Sequence, residues 1–232
     1  MTAPLFPPLL TGEAVARDPF AAACARARQG VDAGLITYAI GDLDLSAALI
    51  LAPEMPLRDA VTMLPLCGVS LQNALGALSP PELAVHLGWS GDVIVNGAIC
   101  GGLRLAADIT DQEVQPDWLV LGLHLPLWPD SDNPGEKPDQ TALYAEGCAG
   151  LDPTVLLEAW ARHTLLWINH WQQDGPAALH RDWQDLAHGL NETVTIGGRT
   201  GTFLGTDERF GMLLKTETGT DLIPLTNLLE RP

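Results

Sequence analysis

The chain has little positive charge. Its 232 residues include 12 lysine and arginine residues against 29 aspartate and glutamate residues, which gives a formal net charge of −17. Lys137 and Lys215 are the two lysines of the sequence. Nucleic acids and anionic membrane surfaces attract basic proteins, so neither is an expected partner. A reaction that needs a lysine side chain has only these two available.

Closely spaced cysteines and targeting signals are also lacking. The four cysteines lie far apart and form no Cys-x-x-Cys pair: Cys24, Cys67, Cys100 and Cys148. This spacing favours buried, reduced thiols over a disulfide framework or a zinc site. The first residues lack the basic start of a secretory signal. No run is expected to be long and apolar enough to cross a membrane. The sequence therefore predicts a cytoplasmic protein.

The sequence has enough apolar residues, 47%, for a folded core, and its length suits one ordinary domain and a second, small one. Hydrophobic periodicity and capping residues predict the helices 19–28, 58–78, 152–173 and 179–188, with a kink at Pro65. Apolar runs predict the strands 35–40, 47–51, 83–87 and 118–125, and a polar loop covers 126–140. We assign residues 1–188 to the first domain. Short strand candidates between glycine-containing turns predict a small β-barrel over residues 189–232.

The stretch from Trp89 to Leu103 predicts a β-hairpin. Two short apolar runs flank Asn96-Gly97, the pair that favours a type I′ turn because both residues take a positive φ. The order of residues resembles the core hairpin of the biotin protein ligase/lipoate ligase family, in which a Trp-Pro-Asn-Asp run precedes a Lys-x-x-Gly-Ile-Leu run. Trp89, Asp92, Gly102 and Leu103 fall on that pattern with its spacing retained.

This resemblance implies an α+β fold, with a mixed β-sheet flanked by helices and then a C-terminal SH3-like β-barrel. It also implies that the hairpin is the floor of a biotin or lipoate pocket. Trp89 would form a wall, Asp92 would orient polar groups, and Gly102 would let an acyl-adenylate approach the backbone. The predicted ligand-binding residues are Trp89, Asp92, Gly101, Gly102, Leu103 and the nearby His86. Taken singly, Trp89 is better explained as a core aromatic residue and Asp92 as a turn residue before Asn96-Gly97, whereas the set in family order favours the pocket.

The chain departs from the family pattern at its phosphate-binding groups. The family's catalytic lysine falls on Ile99, which cannot donate a hydrogen bond. The Arg/Gly-rich loop of the family is replaced by a short acidic connection, Gly41–Leu45. A carboxylate about 4 Å from a phosphate charge costs roughly 4 kcal/mol at an effective dielectric near 20. Strict strand alternation places Arg104 on the face opposite Ile99, which leaves Arg26 and Arg28 as the remaining candidate cations.

Other chemistry has less support in the sequence. Cys100 adjoins the vacant lysine position, but a cysteine that carries a thioester needs a nearby base, so we expect it to be buried. His163 and His170 lie two helical turns apart, too far for one metal ion, and no metal site is expected. A Ser-His-Asp triad lacks a Gly-x-Ser-x-Gly elbow. We interpret Trp160, Trp167 and Trp171 as one apolar stripe of a core helix.

These observations lead to a functional prediction with two alternatives. We expect a biotin protein ligase-like protein that binds biotin, lipoate or a related small acyl ligand, with weak or absent ATP-dependent ligation and no assigned catalytic residue. The first alternative is a non-catalytic partner or regulator that docks a biotinyl or lipoyl carrier protein. The second is an ATP-independent acyltransferase that uses a preformed thioester or adenylate.

Overall fold

The structure, a computed structural model, describes residues 3–129 and 137–230. Within these ranges the chain forms one large and one small β-sheet with helices beside the large one. The predicted loop 126–140 lies in part outside the described residues. The strands of the large sheet are β1 (Thr11–Ala14), β2 (Leu35–Ile40), β3 (Asp44–Leu51), β4 (Val85–Leu87), β5 (Asp92–Val95), β6 (Ala98–Ala107), β7 (Leu119–Pro126) and, at the end of the described chain, β12 (Leu229–Glu230). The helices are α1 (Pro19–Arg28), α2 (Leu57–Ala60), α3 (Met63–Leu78), α4 (Pro153–Asp174) and α5 (Ala177–Leu186), with a π-helical turn at Tyr144–Cys148 and a 3₁₀ turn at Leu225–Leu228.

The large sheet is mixed. Its strand order is β1-β2-β3-β7-β6-β5-β4, and β12 pairs with β6 beyond the end of β5. The β1–β2 and β12–β6 pairs are parallel and the others are antiparallel. The small sheet contains β8 (Thr193–Ile196), β9 (Arg199–Thr206), β10 (Met212–Thr216) and β11 (Gly219–Ile223), all antiparallel. The predicted α+β fold, a mixed sheet with flanking helices followed by a small barrel-like unit, is confirmed.

Capping residues start the helices where the sequence predicts them. The Asp18 side chain accepts a hydrogen bond from Ala21 N at the start of α1, and Asp152 accepts one from Thr154 N at the start of α4. Pro19 and Pro153 each occupy the first helical position, where a backbone N–H is not needed. Strands β1 and β12 were not predicted, because both are short and only partly buried.

The predicted helix 58–78 requires two corrections. It is two helices, α2 and α3, separated at Val61–Thr62, and Pro65 lies in the first turn of α3, where a proline does not break the helix. The stretch Leu57–Leu78 also has the length and mean hydropathy, 1.4, of a membrane-spanning helix, so the expectation that no such run exists is wrong. Within the 18-residue window that has this hydropathy, 72% of the residues are buried, as in the core helix of a globular protein.

The large sheet has two differently covered faces. We call the face that packs against α3 and α4 the inner face; its strand residues join the main hydrophobic core. The opposite, outer face is covered by α1, whose Phe20 and Ala23 pack on Ala48, Ala106 and Val120. Because α1 has only ten residues, it covers part of the outer face and leaves the strand ends beside its first turn uncovered.

The small sheet is attached to the large one by specific contacts. Trp89 Nε1 donates to Phe210 O at 2.7 Å, and the Trp183 ring meets the Phe210 ring edge-on. Arg209 Nε lies 2.9 Å from Asp59 Oδ1. Strand β12 then returns to pair with β6, which brings Glu230 beside Arg104. The C-terminal segment therefore reaches the outer face of the large sheet.

Candidate functional site

The hairpin from Trp89 to Leu103 forms as predicted, with one irregularity. Asn96 and Gly97 both have a positive φ, 50° and 91°, which is the backbone of a type I′ turn. The pairing of β5 with β6 shifts by one residue between Asp92 and Ile94, and Gly101 has φ +83°. This is a β-bulge, which inserts one unpaired residue and reverses the alternation of the strand beyond it.

The bulge corrects the prediction for Arg104. Cys100, Leu103 and Leu105 all lie in the inner-face core, although Cys100 and Leu103 are three positions apart, an odd number that strict alternation would place on opposite faces. Their neighbours Ile99 and Arg104 therefore both face outward, and the expectation that they lie on opposite faces is wrong. Strict alternation fails because the extra residue at Gly101 changes the phase of the strand. A guanidinium group thus shares the face of the vacant lysine position.

Trp89 and Leu103 lie in packed regions. The Trp89 side chain is 4% exposed, and its N–H is bound by Phe210 O of the small sheet. The space that Trp89 and Leu103 share with Trp183 and Phe210 has a volume of only about 10 Å³. Asp92 is half-buried and accepts a short hydrogen bond from Ser90 Oγ. Trp89 and Asp92 also border an open groove of about 330 Å³ between the hairpin and the small sheet.

The remaining predicted residues divide between the sheet and its edge. A side chain at Gly101 would place its Cβ 2.1 Å from His124 O, so the adjacent strand requires this glycine. A Cβ at Gly102 would lie 3.0 Å from Gly91 O of the hairpin itself. His86 is exposed on β4, with its ring 6.4 Å from that of His188. The structure therefore does not bring the six predicted residues around one common cavity.

A cavity of about 990 Å³ opens on the outer face of the large sheet. We call it the outer-face cavity. It is formed by the loop 14–18 before α1, the ends of β2 and β3, and side chains from β6 and β7. Its volume is within the range of small-molecule sites. Its lining includes the charged or polar side chains of Arg17, Asp18, Asp44, Ser46, Arg104 and His124.

Arg104 is held in the wall of this cavity by acidic and aromatic neighbours. Its Nη2 donates to Asp18 Oδ1 at 3.1 Å, and its Nη1 lies 3.6 Å from Glu230 Oε2. Its guanidinium carbon lies 4.1 Å from the centre of the Phe20 ring. Stacking on an aromatic face fixes the plane of a guanidinium group while leaving its edge donors available. Arg104 is thus a positioned cation with remaining hydrogen-bonding capacity.

A hydrogen-bonded cluster lies beside Arg104. Ser46 Oγ is 3.0 Å from His124 Nδ1 and 3.2 Å from Asp44 Oδ2. Ser46 pairs with His124 across β3 and β7, and His124 pairs with Gly102 on β6, which in turn pairs with Asp92. One row across the sheet thus connects the cavity to the predicted hairpin residues Gly102 and Asp92.

The cavity lining has no net positive charge. Arg17 and Arg104 contribute two positive charges, Asp18 and Asp44 contribute two negative charges, and Glu230 adds a carboxylate next to Arg104. The other candidate cations lie elsewhere: Arg26 is paired with Glu13 at 2.6 Å, and Arg28 borders a separate cavity beside Trp118. The hydrogen bond from Arg26 is the main cause that lowers the pKa of Glu13 below its ordinary value.

The acidic connection between β2 and β3 is a tight turn. Gly41 N donates to Asp44 O at 2.9 Å, and Ile40 pairs with Leu45. This leaves no backbone for a loop that could wrap around a polyphosphate. Asp44 lines the outer-face cavity, and Asp42 at the tip of the turn is exposed.

The four thiols are free and buried, as predicted. Burial raises the pKa of Cys100 to about 12, with smaller contributions from Glu146 and Cys148. Burial likewise raises the pKa of Cys67 to about 12. Such thiols are protonated at neutral pH and are poor nucleophiles. Among the described residues, no group of three or more His, Cys, Asp and Glu side chains could hold a metal ion.

The sequence did not identify the outer-face cavity. Its residues come from separated segments, so no local motif marks them. One signal was present: two adjacent glycines, Gly101 and Gly102, inside a strand pattern indicate a bulge. A bulge at these glycines predicts that Arg104 shares a face with Ile99, the lysine position. Ser46 and His124 share a face because β3 and β7 are neighbours in the sheet, and strand alternation within each strand does not reveal that pairing.

Comparisons with known proteins identify relatives of both parts of the chain. The model of the biotin/lipoate A/B protein ligase family matches residues 6–185. A model of a domain of unknown function, DUF4444, matches residues 190–231. No curated protein matches the chain.

Solved structures provide a similar result. A biotin protein ligase-like protein of unknown function from Silicibacter sp. TM1040 is 58% identical, with a TM-score of 0.94, over 99% of this chain and 100% of that chain. The biotin protein ligase from Aquifex aeolicus is 19% identical with a TM-score of 0.73, covering 94% and 96% of the two chains. The Leishmania major biotin protein ligase in complex with biotinyl-5-AMP is 17% identical with a TM-score of 0.56, covering 94% and 99% of the two chains.

Proposed function

The chain belongs to the biotin/lipoate A/B protein ligase family, and from this premise we propose that it binds biotin, lipoate or a related acyl acid, with weak or absent ATP-dependent ligation. We assign the ligand to the outer-face cavity. The observation that carries this proposal is the Arg104 guanidinium group in the cavity wall, which can pair with one carboxylate. The lining as a whole has no net positive charge, so it does not suit a polyphosphate.

Arg104 is the proposed anchor of the ligand carboxylate. Its guanidinium group lies over the Phe20 ring and contacts Asp18 and Glu230, which leaves some of its N–H donors unused. A guanidinium–carboxylate pair is among the strongest hydrogen-bonded contacts in proteins. The ligand carboxylate competes with the Asp18 carboxylate for this group, and Asp18 keeps its capping bond to Ala21 N when Arg104 turns toward the cavity.

The hairpin residues support this site in different ways under the proposal. Gly102 and Asp92 continue the cross-strand row that begins at Ser46 and His124, so they connect the cavity wall to the hairpin without lining the cavity. Gly101 sets the bulge that turns Arg104 outward. Trp89 and Leu103 pack behind the sheet and hold the hairpin, and His86 is exposed on β4, the edge strand away from the cavity.

ATP is a poor ligand for such a cavity. A triphosphate needs several cations or backbone donors, and the family's lysine position is Ile99, with a side chain 39% exposed. The tight β2–β3 turn provides Asp44 at the cavity instead of a basic loop. The formal net charge of −17 adds long-range repulsion for polyphosphates and nucleic acids. We propose that the protein binds its acyl acid in the cytoplasm.

Calorimetric titration of the full chain tests the proposal. We expect saturable binding of biotin or lipoate and none of Mg-ATP. Arg104→Gln should weaken the acid's affinity about 10- to 100-fold, since a hydrogen bond to a charged group contributes about 1.5–3 kcal/mol. Arg162→Gln is the matched control because Arg162 is an exposed arginine of α4, 4.0 Å from Glu158. Absence of binding by either acid would refute the proposal.

A second candidate function is docking of a biotinyl or lipoyl carrier protein. The observation that favours it is an exposed apolar pair at the β2–β3 turn: Leu43 is 62% exposed and Trp128 is 49% exposed, and Trp128 N bonds to Leu43 O. Thermal-shift measurements separate the two functions. Stabilisation by a carrier domain alone supports docking, whereas stabilisation by the free acid supports ligand binding. Acylation of a carrier lysine from synthetic biotinyl-adenylate would show that the chain also catalyses ATP-independent acyl transfer.

A further inference from the structure

Three polar side chains form a hydrogen-bonded chain in the wall of the outer-face cavity. Ser46 Oγ lies 3.2 Å from Asp44 Oδ2 and 3.0 Å from His124 Nδ1, and His124 Nδ1 lies 3.7 Å from Asp44 Oδ2. Ser46 and His124 are direct partners on β3 and β7, and Asp44 precedes Ser46 by two residues on the same face. All three line the cavity, so a bound ligand can meet them.

The single hydroxyl proton of Ser46 decides the tautomer of His124. A carboxylate only accepts hydrogen bonds, so Ser46 donates its proton to Asp44. Ser46 Oγ is then an acceptor toward the imidazole, and His124 Nδ1 must donate. A neutral imidazole with its proton on Nδ1 carries a lone pair on Nε2. Within residues 3–129 and 137–230, Nε2 of His124 makes no hydrogen bond.

We propose that His124 Nε2 is a fixed hydrogen-bond acceptor for the ligand, so that the cavity selects an acyl acid carrying an amide- or urea-type N–H donor over one without it. Ser46 and Asp44 act as positioning residues that hold the acceptor tautomer. This inference rests on the proposed function, because it assigns the ligand to the same cavity. In the free protein the His124 side chain is 53% exposed, so water can donate a hydrogen bond to Nε2. A ligand without a donor removes that water and leaves the acceptor unpaired, which costs affinity.

Arg104 and His124 are placed to contact one ligand molecule. Arg104 pairs with Gly122 across β6 and β7, and His124 lies two residues beyond Gly122 on the same face. Such diagonal neighbours stand about 7–8 Å apart, and the long Arg104 side chain extends this span. Gly122 has no side chain to separate them, and a Cβ there would lie 3.1 Å from Arg104 Cγ. A ligand with a carboxylate at one end and an N–H donor farther along can therefore reach both groups.

Biotin and lipoate are a matched pair of probes. Both are acids with a five-carbon chain on a sulfur-containing ring, and only biotin carries ureido N–H groups. We expect calorimetry of the full chain to show biotin binding about tenfold more tightly than lipoate, the gain from one well-formed hydrogen bond of about 1.4 kcal/mol. His124→Phe should abolish this preference. His124→Gln, whose amide oxygen can accept near the position of Nε2, should restore part of it, and the exposed control His170→Gln should leave it unchanged.

The tautomer has its own readout. Imidazole ¹⁵N chemical shifts of the ligand-free chain should show His124 protonated on Nδ1, and Ser46→Ala should shift it toward the Nε2-protonated form and reduce the preference for biotin. Equal affinity for biotin and lipoate, with both weakened by Arg104→Gln, would overturn this inference and leave the proposed function standing. An Nε2-protonated His124 in the unmodified chain would also overturn it. Failure of both acids to bind would refute the proposed function itself.

Discussion

On the inner face of the large sheet, the hairpin strand β6 presents Cys100, Leu103 and Leu105 to a closed core beneath α3 and α4. On the outer face the same strand presents Arg104 to an open cavity of about 990 Å³. The same strand borders both faces. A single extra residue at Gly101 determines which of its side chains point to the inner face and which to the outer face. The resemblance to a ligase hairpin locates the strand correctly. The open space near it depends on contacts far away in the sequence.

The largest expected effect concerns the closed core on the inner face. Trp89→Ala should lower the free energy of unfolding by about 3–5 kcal/mol, as for other buried aromatic residues, because the indole fills the contact between the hairpin and the small sheet. Trp89→Phe should cost about 1–3 kcal/mol, since it leaves Phe210 O without its partner. Urea denaturation measures both values.

Ligand binding by Trp89→Phe tests whether the closed inner face and the open outer face have separate roles. We expect Trp89→Phe to bind the acyl acid as tightly as the unmodified chain, because Trp89 lies outside the outer-face cavity. A folded Trp89→Phe protein that has lost acid binding would show that the ligand contacts Trp89, as the family resemblance implies.

The next effect concerns the boundary between the two faces. Gly101→Ala and Gly97→Ala both place alanine at a positive φ, +83° and +91°, but a Cβ meets His124 O at 2.1 Å only at Gly101. Both variants should lose about 1–3 kcal/mol from backbone strain, and Gly101→Ala should lose more. Gly101→Ala should also weaken acid binding, since it disturbs the strand that carries Arg104. Equal destabilisation with unchanged binding would mean that the bulge does not control the cavity.

A smaller effect probes how closed the inner face is. Burial raises the pKa of Cys100 to about 12, so at pH 8 only about one molecule in ten thousand carries the thiolate. Alkylation by iodoacetamide at pH 8 should therefore be at least about 100-fold slower for the folded chain than in urea, where the thiol regains an ordinary pKa near 8.5. Mass spectrometry of the Cys100 peptide measures this. Rapid modification of Cys100 in the folded chain would show that the hairpin opens.

Local features of the fold were predictable from sequence. The capping residues Asp18 and Asp152, the Asn96-Gly97 turn and the buried cysteines follow from side-chain chemistry that acts over a few residues. The direction of Arg104 was not predictable by alternation alone, because a bulge changes the phase of a strand. The Ser46–His124 contact requires knowing that β3 and β7 are neighbours, although 78 residues separate the pair. The site was harder to predict than the fold because it is made of such long-range contacts.

We propose that this member of the family has an acyl-acid cavity whose lining, without net positive charge, does not support activation by ATP. Pyrophosphate release by the purified full chain, with Mg-ATP and saturating biotin or lipoate, tests this claim most directly. We expect pyrophosphate to be released no faster than in a sample without protein, under conditions where calorimetry shows the acid to be bound. Sustained pyrophosphate release that depends on the acid would contradict it.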